Sequence, residues 1–373
     1  MLVAQRQFID TQEDRNTAYA ALAKTHGLLS VKVTPFYQRK IDQEVAALGH
    51  YEGPLARTVY PSAERLTLRA PGEVADWVDD RSNMEDDAKD IFIQKYPDRV
   101  LFTPTSTCAA HCLYCFRQDV LSQQKTAPRP SIEQQCDALI KHLKAHPEVY
   151  EVILSGGDPL TLSYGDLQTI FEKIATVKTV TDVRIHTRVP IFSPAALKND
   201  DKLALFAKHN VRMILHSVHP YEICDEVAAL LERMHAHGIR LYNHFPMLRH
   251  VNDHADVLLE LMQKLEAHHV KTLSIYVPEP INFSATYRIS YDRMCAIIDE
   301  VNVRASAWLN SFRFCLDSPF GKVRRENLKM RDRLSQRLVF MRENQRIDYP
   351  DFPASMDRPG NIKTMLWKMK KAT

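Results

Sequence analysis

Three cysteines, Cys108, Cys112 and Cys115, stand in the stretch TSTCAAHCLYCFRQ with the spacing C-x3-C-x2-C. A structural zinc site takes four protein ligands, and disulfides take pairs. Three thiolates on one loop leave a coordination position for something that is not protein. Iron–sulfur clusters are held by cysteine thiolates, ordinarily four. With three, one iron of a [4Fe–4S] cluster keeps an open position, and open positions are where metal sites do chemistry. A small molecule with an amine and a carboxylate could chelate that iron. The residues leave two other readings open: a three-cysteine zinc site completed by His111 or another histidine, and a chance spacing.

The remaining cysteines, Cys136, Cys224, Cys295 and Cys315, are scattered and read mostly as small buried hydrophobes. An odd total of seven fits a reducing cytoplasm better than a disulfide framework. The 373-residue chain balances 49 basic against 46 acidic residues, for a net charge of +3. Nothing in that balance points to nucleic acid or to an anionic membrane surface. The apolar runs are too short for a transmembrane helix. The N-terminus becomes charged too soon for a signal peptide.

Stepping outward from the cysteines, a repeating pattern must position them. RVLFTPTST reads as a strand and SIEQQCDALIKHLKAH as a helix. The alternation continues with EVILSGG and YGDLQTIFEKIATV, DVRIHTR and DKLALFAKH, VRMILHSV and CDEVAALLERMHAHG. It closes with RLYNHFPML and HADVLLELMQKLEAHHV, then TLSIYVPE and SYDRMCAIIDEVNVRA. Gly238 ends the fourth helix. Six units at roughly thirty residues each match the βαβ step. The strands read as apolar on both faces, as covered parallel strands should be. The fold class is α/β: a partial (β/α)6 TIM-like barrel, or else an open doubly wound sheet.

In both, chemistry sits at the strand C-termini. The cysteines follow the first strand at that end, and so do Gly156-Gly157-Asp158, Arg188, His219 and Glu279. Residues 1–98 read as a mostly helical, charged cap and 99–310 as the barrel. Residues 311–373 form a C-terminal extension with extra strands and a hairpin at RLVFMREN-QRIDYP.

The cysteine spacing, with an aromatic at Tyr114, resembles the signature of radical S-adenosylmethionine (SAM) enzymes. That resemblance implies a [4Fe–4S] cluster whose unique iron is chelated by SAM. It makes Gly156, Gly157 and Asp158, in SGGDPL, candidates for SAM binding, with Tyr114 and Arg188 beside them. KYPDRVLF, CFR, SGGDPL, VRIHTRVPI, the His219-Pro220 pair and NHFPMLRHVND resemble, more narrowly, the lysine 2,3-aminomutase family. The similarity runs from about residue 80 to 350 and implies the partial barrel, in place of the doubly wound sheet. Members exchange an amino group and a hydrogen between C2 and C3 of an amino acid, through a 5′-deoxyadenosyl radical. They use pyridoxal phosphate (PLP) as well as SAM.

The resemblance assigns further residues. PLP needs a lysine for its Schiff base. In FCLDSPFGKVRREN, the C-terminal extension places Asp317 and Pro319 ahead of Lys322, the candidate catalytic lysine. The aspartate-to-lysine spacing is shorter than in the family, and most of its glycines are gone. Lys95, Tyr96 and Arg99 match the segment near the PLP phosphate. Arg117 matches the arginine that grips the substrate α-carboxylate. Glu279 and Asp317 stand where lysine-specific members hold the distal ammonium. A buried carboxylate pair without a cation is costly, so the pair implies a basic substrate, lysine first and arginine second.

The implied partners are a small-molecule amino acid and an electron donor such as flavodoxin or ferredoxin, with no nucleic acid and no membrane. A homodimer is the implied assembly. No second cysteine cluster is present for a C-terminal zinc site. Two rival readings stay open. One is a radical SAM enzyme without PLP, acting on another small molecule or a peptide. The other is an iron–sulfur electron-transfer or metal-binding protein.

Overall fold

Why the chain curls into a half-barrel follows from the order in which its strands pair. In the computed structural model, which describes residues 11–84, 91–124, 129–332 and 334–368, nine strands form one sheet in chain order. They are β1 (Phe92–Tyr96), β2 (Arg99–Thr105), β3 (Glu151–Gly156), β4 (Asp182–Thr187) and β5 (Arg212–Leu215). Then come β6 (Arg240–Pro246), β7 (Val270–Tyr276), β8 (Arg313–Leu316) and β9 (Val323–Arg324). All pairings from β2 to β8 are parallel. A doubly wound sheet would reverse its strand order at a switch point. This one never does, so the partial barrel is the fold.

The six expected strands are β2 to β7, and β8 adds a seventh parallel strand. Antiparallel β1 and β9 flank the two ends. The helices fall where their apolar periodicity put them. Ile132–Ala145 starts on a Ser131 capping box and buries Cys136, Leu139, Ile140 and Leu143. Asp225–Ala236 buries Val227, Leu230, Leu231 and Met234, and Gly238 follows at φ +79°.

One expectation about the strands is corrected. Their outward residues, such as Val152, Leu154, Ile185 and Phe245, are apolar and buried. Their inward residues include Ser155, Arg184, His186 and His244, which line a cavity. Side chains alternate along a strand, so the inner face takes a polar set without disturbing the outer one.

The helical reading of the first 98 residues also needs correction. Helices Gln12–His26, Pro35–Leu48, Pro54–Val59 and Ala63–Thr67 are present, but Phe92–Tyr96 is strand β1, paired with β2. The region packs directly onto the barrel. Tyr19, Tyr37 and Ile41 belong to the same hydrophobic cluster as the barrel. Fully buried Arg65 donates to Gln118 Oε1 at 3.0 Å and to the Phe283 carbonyl. At the other end β10 (Leu328–Asp332), β11 (Arg337–Arg342) and β12 (Gln345–Pro350) form a separate antiparallel sheet. The expected hairpin is β11–β12. Among the described residues, no helix is long and apolar enough to cross a membrane.

Candidate active site

The C-terminal ends of the parallel strands converge on one cavity of about 280 Å³. It gathers Cys108, Cys112, Cys115, Tyr114, Gly156, Gly157, Asp158 and Arg188, with Lys95, Tyr96, Arg99, Arg117, Glu279, Asp317 and Lys322. His219 does not join them. It is fully buried, and its Nδ1 accepts the Tyr221 N–H at 3.2 Å, so it caps a turn after β5. Cys136, Cys295 and Cys315 are buried, and Cys224 is half-buried.

The loop after β2 carries the thiols. Among the described residues, no three His, Cys, Asp or Glu side chains are already drawn together around a metal position. The donor set nonetheless fits a cluster: three thiols from one loop face one cavity, and a cation waits beside them. Arg188 Nη1 lies 2.9 Å from Cys112 Sγ and also reaches Tyr114 Oη. Burial and neighbouring Cys112 push the Cys115 thiol up to about 12. A bound metal reverses that logic and deprotonates a coordinating thiol.

Arg188 is held from behind by Glu222, an acid the sequence reading missed. Its Nη2 is 2.5 Å from Glu222 Oε1, and Glu222 is fully buried. Tyr37 Oη, Ser217 Oγ and the Val218 N–H also donate to Glu222, at 2.7, 2.9 and 2.7 Å. Burial alone would raise the Glu222 carboxyl, but Arg188 and these donors hold it below its ordinary value. Replacing Arg188 with methionine strands this charge. Such a break costs about 3–5 kcal/mol, so urea unfolding of Arg188→Met is expected to show a loss of that size.

The glycine pair serves packing. Gly156 has φ +101°, and a Cβ there would sit 2.8 Å from the Thr105 carbonyl oxygen. A Cβ on Gly157 would sit 2.4 Å from the Thr107 carbonyl oxygen. The pair thus lets the end of β3 close against the start of the cysteine loop, leaving the cavity between them. Asp158 is occupied as well. Its carboxylate accepts from Thr187 Oγ1, the Arg188 N–H, the Val189 N–H and the Leu160 N–H, at 2.7 to 3.1 Å. It pins the end of β4, and with it Arg188, to the end of β3.

Across the cavity, Arg117 Nη1 donates to Ser155 Oγ at 3.3 Å. Arg99 is paired bidentately with Asp98, at 2.8 Å on both contacts. Lys322 Nζ lies 3.5 Å from Asp317 Oδ2, and the Lys322 backbone N–H donates to Tyr96 Oη at 3.0 Å. Burial would lower the Lys322 ammonium, but Asp317, Tyr276 and Tyr96 outweigh it and hold it well above its ordinary value. Burial, then repulsion from Asp317, pushes Glu279 up to about 8.

Sequence reasoning also missed three half-buried imidazoles. His186 and His244 have ring centroids 4.8 Å apart, and His244 and His216 5.7 Å. His216 Nε2 is 3.1 Å from Tyr114 Oη. Burial keeps all three neutral, His244 at about 3, helped for His186 and His244 by the charges of Lys322, Arg184 and Arg117. The available signal was their inward phase on the strands: His186 lies two residues from Arg184, and His244 two from Pro246.

A half-barrel with three cysteines after its first parallel strand defines a class. Residues 102–277 match the model of the radical SAM superfamily. That match implies the [4Fe–4S] cluster and SAM of radical SAM chemistry. More narrowly, it is 29% identical over 304 residues to a putative L-lysine 2,3-aminomutase of Aquifex aeolicus, covering 81% of this chain and 78% of that one. It is 29% identical over 300 residues to the L-lysine 2,3-aminomutase of Methanococcus maripaludis, covering 80% and 66%. Among solved structures, a radical SAM methyltransferase from Sphaerobacter thermophilus matches at a TM-score of 0.44 and 15% identity, covering 60% and 68%.

Proposed function

We propose that this protein is a radical SAM, PLP-dependent 2,3-aminomutase that moves the α-amino group of a basic amino acid to its β-carbon. Lysine is the first choice of substrate and arginine the second. A flavodoxin or ferredoxin would be the electron donor. The observation that carries the reading is one cavity that holds three kinds of group together. These are three thiols, a guanidinium at Arg117, and the carboxylates of Glu279 and Asp317 beside Lys322.

Cys108, Cys112 and Cys115 would hold the cluster, Gly156 and Gly157 would border SAM, and Lys322 would carry PLP. Together these groups supply a hydrogen-abstracting radical and an electron sink for the migrating nitrogen. The chain's own residues do the rest. Arg117 grips the α-carboxylate through two N–H groups. Asp317 and Glu279 accept the distal ammonium. The neutral imidazoles of His186, His216 and His244 offer polar contacts without adding charge next to that ammonium. The enclosing strands keep water from the reacting carbon.

The test is anaerobic. Protein reconstituted with iron and sulfide receives PLP, SAM and dithionite, with L-lysine, L-arginine or L-glutamate. β-Lysine or β-arginine is expected by mass spectrometry. Deoxyadenosine without any β-amino acid would sink the substrate assignment and leave the radical SAM class intact.

A second reading, a radical SAM enzyme without PLP, draws on the short DSPFGK loop and the Lys322–Asp317 ion pair. Absorbance separates the two. The proposal expects a band near about 420 nm from a PLP–lysine imine that disappears in Lys322→Ala. If the wild type takes up no PLP, the second reading replaces the first.

A further inference from the structure

Residues 73–80, beyond the N-terminal helices, cross the mouth of the barrel as a strap, fastened at both sides. On one side Glu73 accepts the backbone N–H groups of Phe283 and Ala285, each at 2.9 Å. Val74 bridges Ile281. Further along, Trp77 Nε1 donates to the Asp317 carbonyl at 2.8 Å. The chain then turns at Asp79, whose φ of +52° is a left-handed conformation that aspartate tolerates better than most residues. That turn sends Asp80 inward, leaving it 2% exposed.

Asp80 meets two cations there. Its Oδ2 accepts from Arg117 Nε at 2.6 Å, and its Oδ1 lies 3.0 Å from Lys95 Nζ. The contact with Arg117 has a direction. Asp80 occupies the Nε edge of the guanidinium, and Ser155 Oγ meets Nη1 at 3.3 Å. The ring of Phe116 lies 4.5 Å from the guanidinium carbon. A guanidinium fixed at Nε and against one face has its rotation blocked, and its remaining N–H groups are left to face a ligand. The same carboxylate lets two cations stand in one wall without mutual repulsion driving them apart.

We propose that Asp80 is the positioning residue for carboxylate recognition: the strap delivers it to lock the Arg117 guanidinium and to tie Lys95 to it. The inference rests on the reading of Arg117 as the α-carboxylate anchor. Asp80 itself touches no substrate. Its removal should blunt the distinction between an α-carboxylate and an uncharged α-carboxamide.

The experiment is equilibrium binding to anaerobically loaded holoenzyme, using L-lysine and L-lysinamide as probes. Wild type, Asp80→Asn and Asp80→Glu are compared, with SAM affinity measured alongside. Losing an oriented, charge-assisted contact is worth about tenfold to a hundredfold. Wild type is expected to prefer lysine over its amide by at least about that lower figure. Asp80→Asn should lose most of the preference with SAM binding unchanged. In turnover its KM should rise by a similar factor while kcat moves little. Asp80→Glu keeps both ion pairs and guards against loss of folding in the asparagine variant; it should keep part of the preference. Wild-type discrimination retained in both variants overturns the inference alone, as does tighter lysine binding by Asp80→Asn. A wild type with no preference overturns the Arg117 reading, and this inference with it.

Discussion

Cys112→Ala is expected to fold normally, lose most of its iron and fail to cleave SAM. The geometry makes this variant informative about chemistry and not about stability. Arg188, the cation beside Cys112 Sγ, keeps its pairing with Glu222 when the thiol is gone. No buried charge is stranded. Cys112 is only half-buried, so removing its sulfur should cost no more than about 1 kcal/mol. Changes outside a metal's own ligands already cost about 10- to 100-fold, so loss of one of three thiolates should exceed a hundredfold. Iron and sulfide analysis after anaerobic reconstitution, with deoxyadenosine release as the activity readout, checks it. Full iron content together with undiminished SAM cleavage would remove the cysteine triad from the role given to it.

The second large effect concerns charge at the far end of the cavity. Asp317→Asn should raise KM for L-lysine by about a hundredfold. Truncating one partner of a buried charge pair costs about 2–5 kcal/mol. The same site carries a pH dependence through Glu279. Burial and Asp317 hold that carboxyl at about 8 when the cavity is empty, so at neutral pH it is mostly protonated. An incoming ammonium favours the carboxylate and pulls the value down. Below about 8, binding therefore releases a proton. Affinity for a cationic side chain should rise with pH up to that value and then level off. Calorimetry in buffers of different ionisation enthalpy reads the proton count directly. Glu279→Gln should abolish the release and flatten the profile between pH 6 and 8. A proton count near zero in the wild type would show that Glu279 does not face the ligand's charge.

How much of this was written in the sequence differs from one residue to the next. The six βα units, the cysteine loop after the first, and the glycine pair after the second follow from local patterns. Apolar periodicity, capping residues and short fixed spacings act between neighbours in the chain. Strand β1 was not legible, because its pairing with β2 lies inside a region dominated by helical and charged residues. The inward polar face of the barrel was hidden for a related reason. Ile153 and Ser155 read as one strand with Val152 and Leu154, and only the direction of sheet curvature decides which pair meets a cavity.

The partners of the candidate residues were further out of reach. Glu222 meets Arg188 across 34 positions, and Asp80 meets Arg117 across 37. Trp77 meets Asp317 across 240. By itself the sequence determined that three thiols share one loop, and thiols so close in the chain need no tertiary fold to be near one another. Only the tertiary structure decided which acid orients which base. Such pairs form between elements that closure of the barrel brings together, and no spacing along the chain records them.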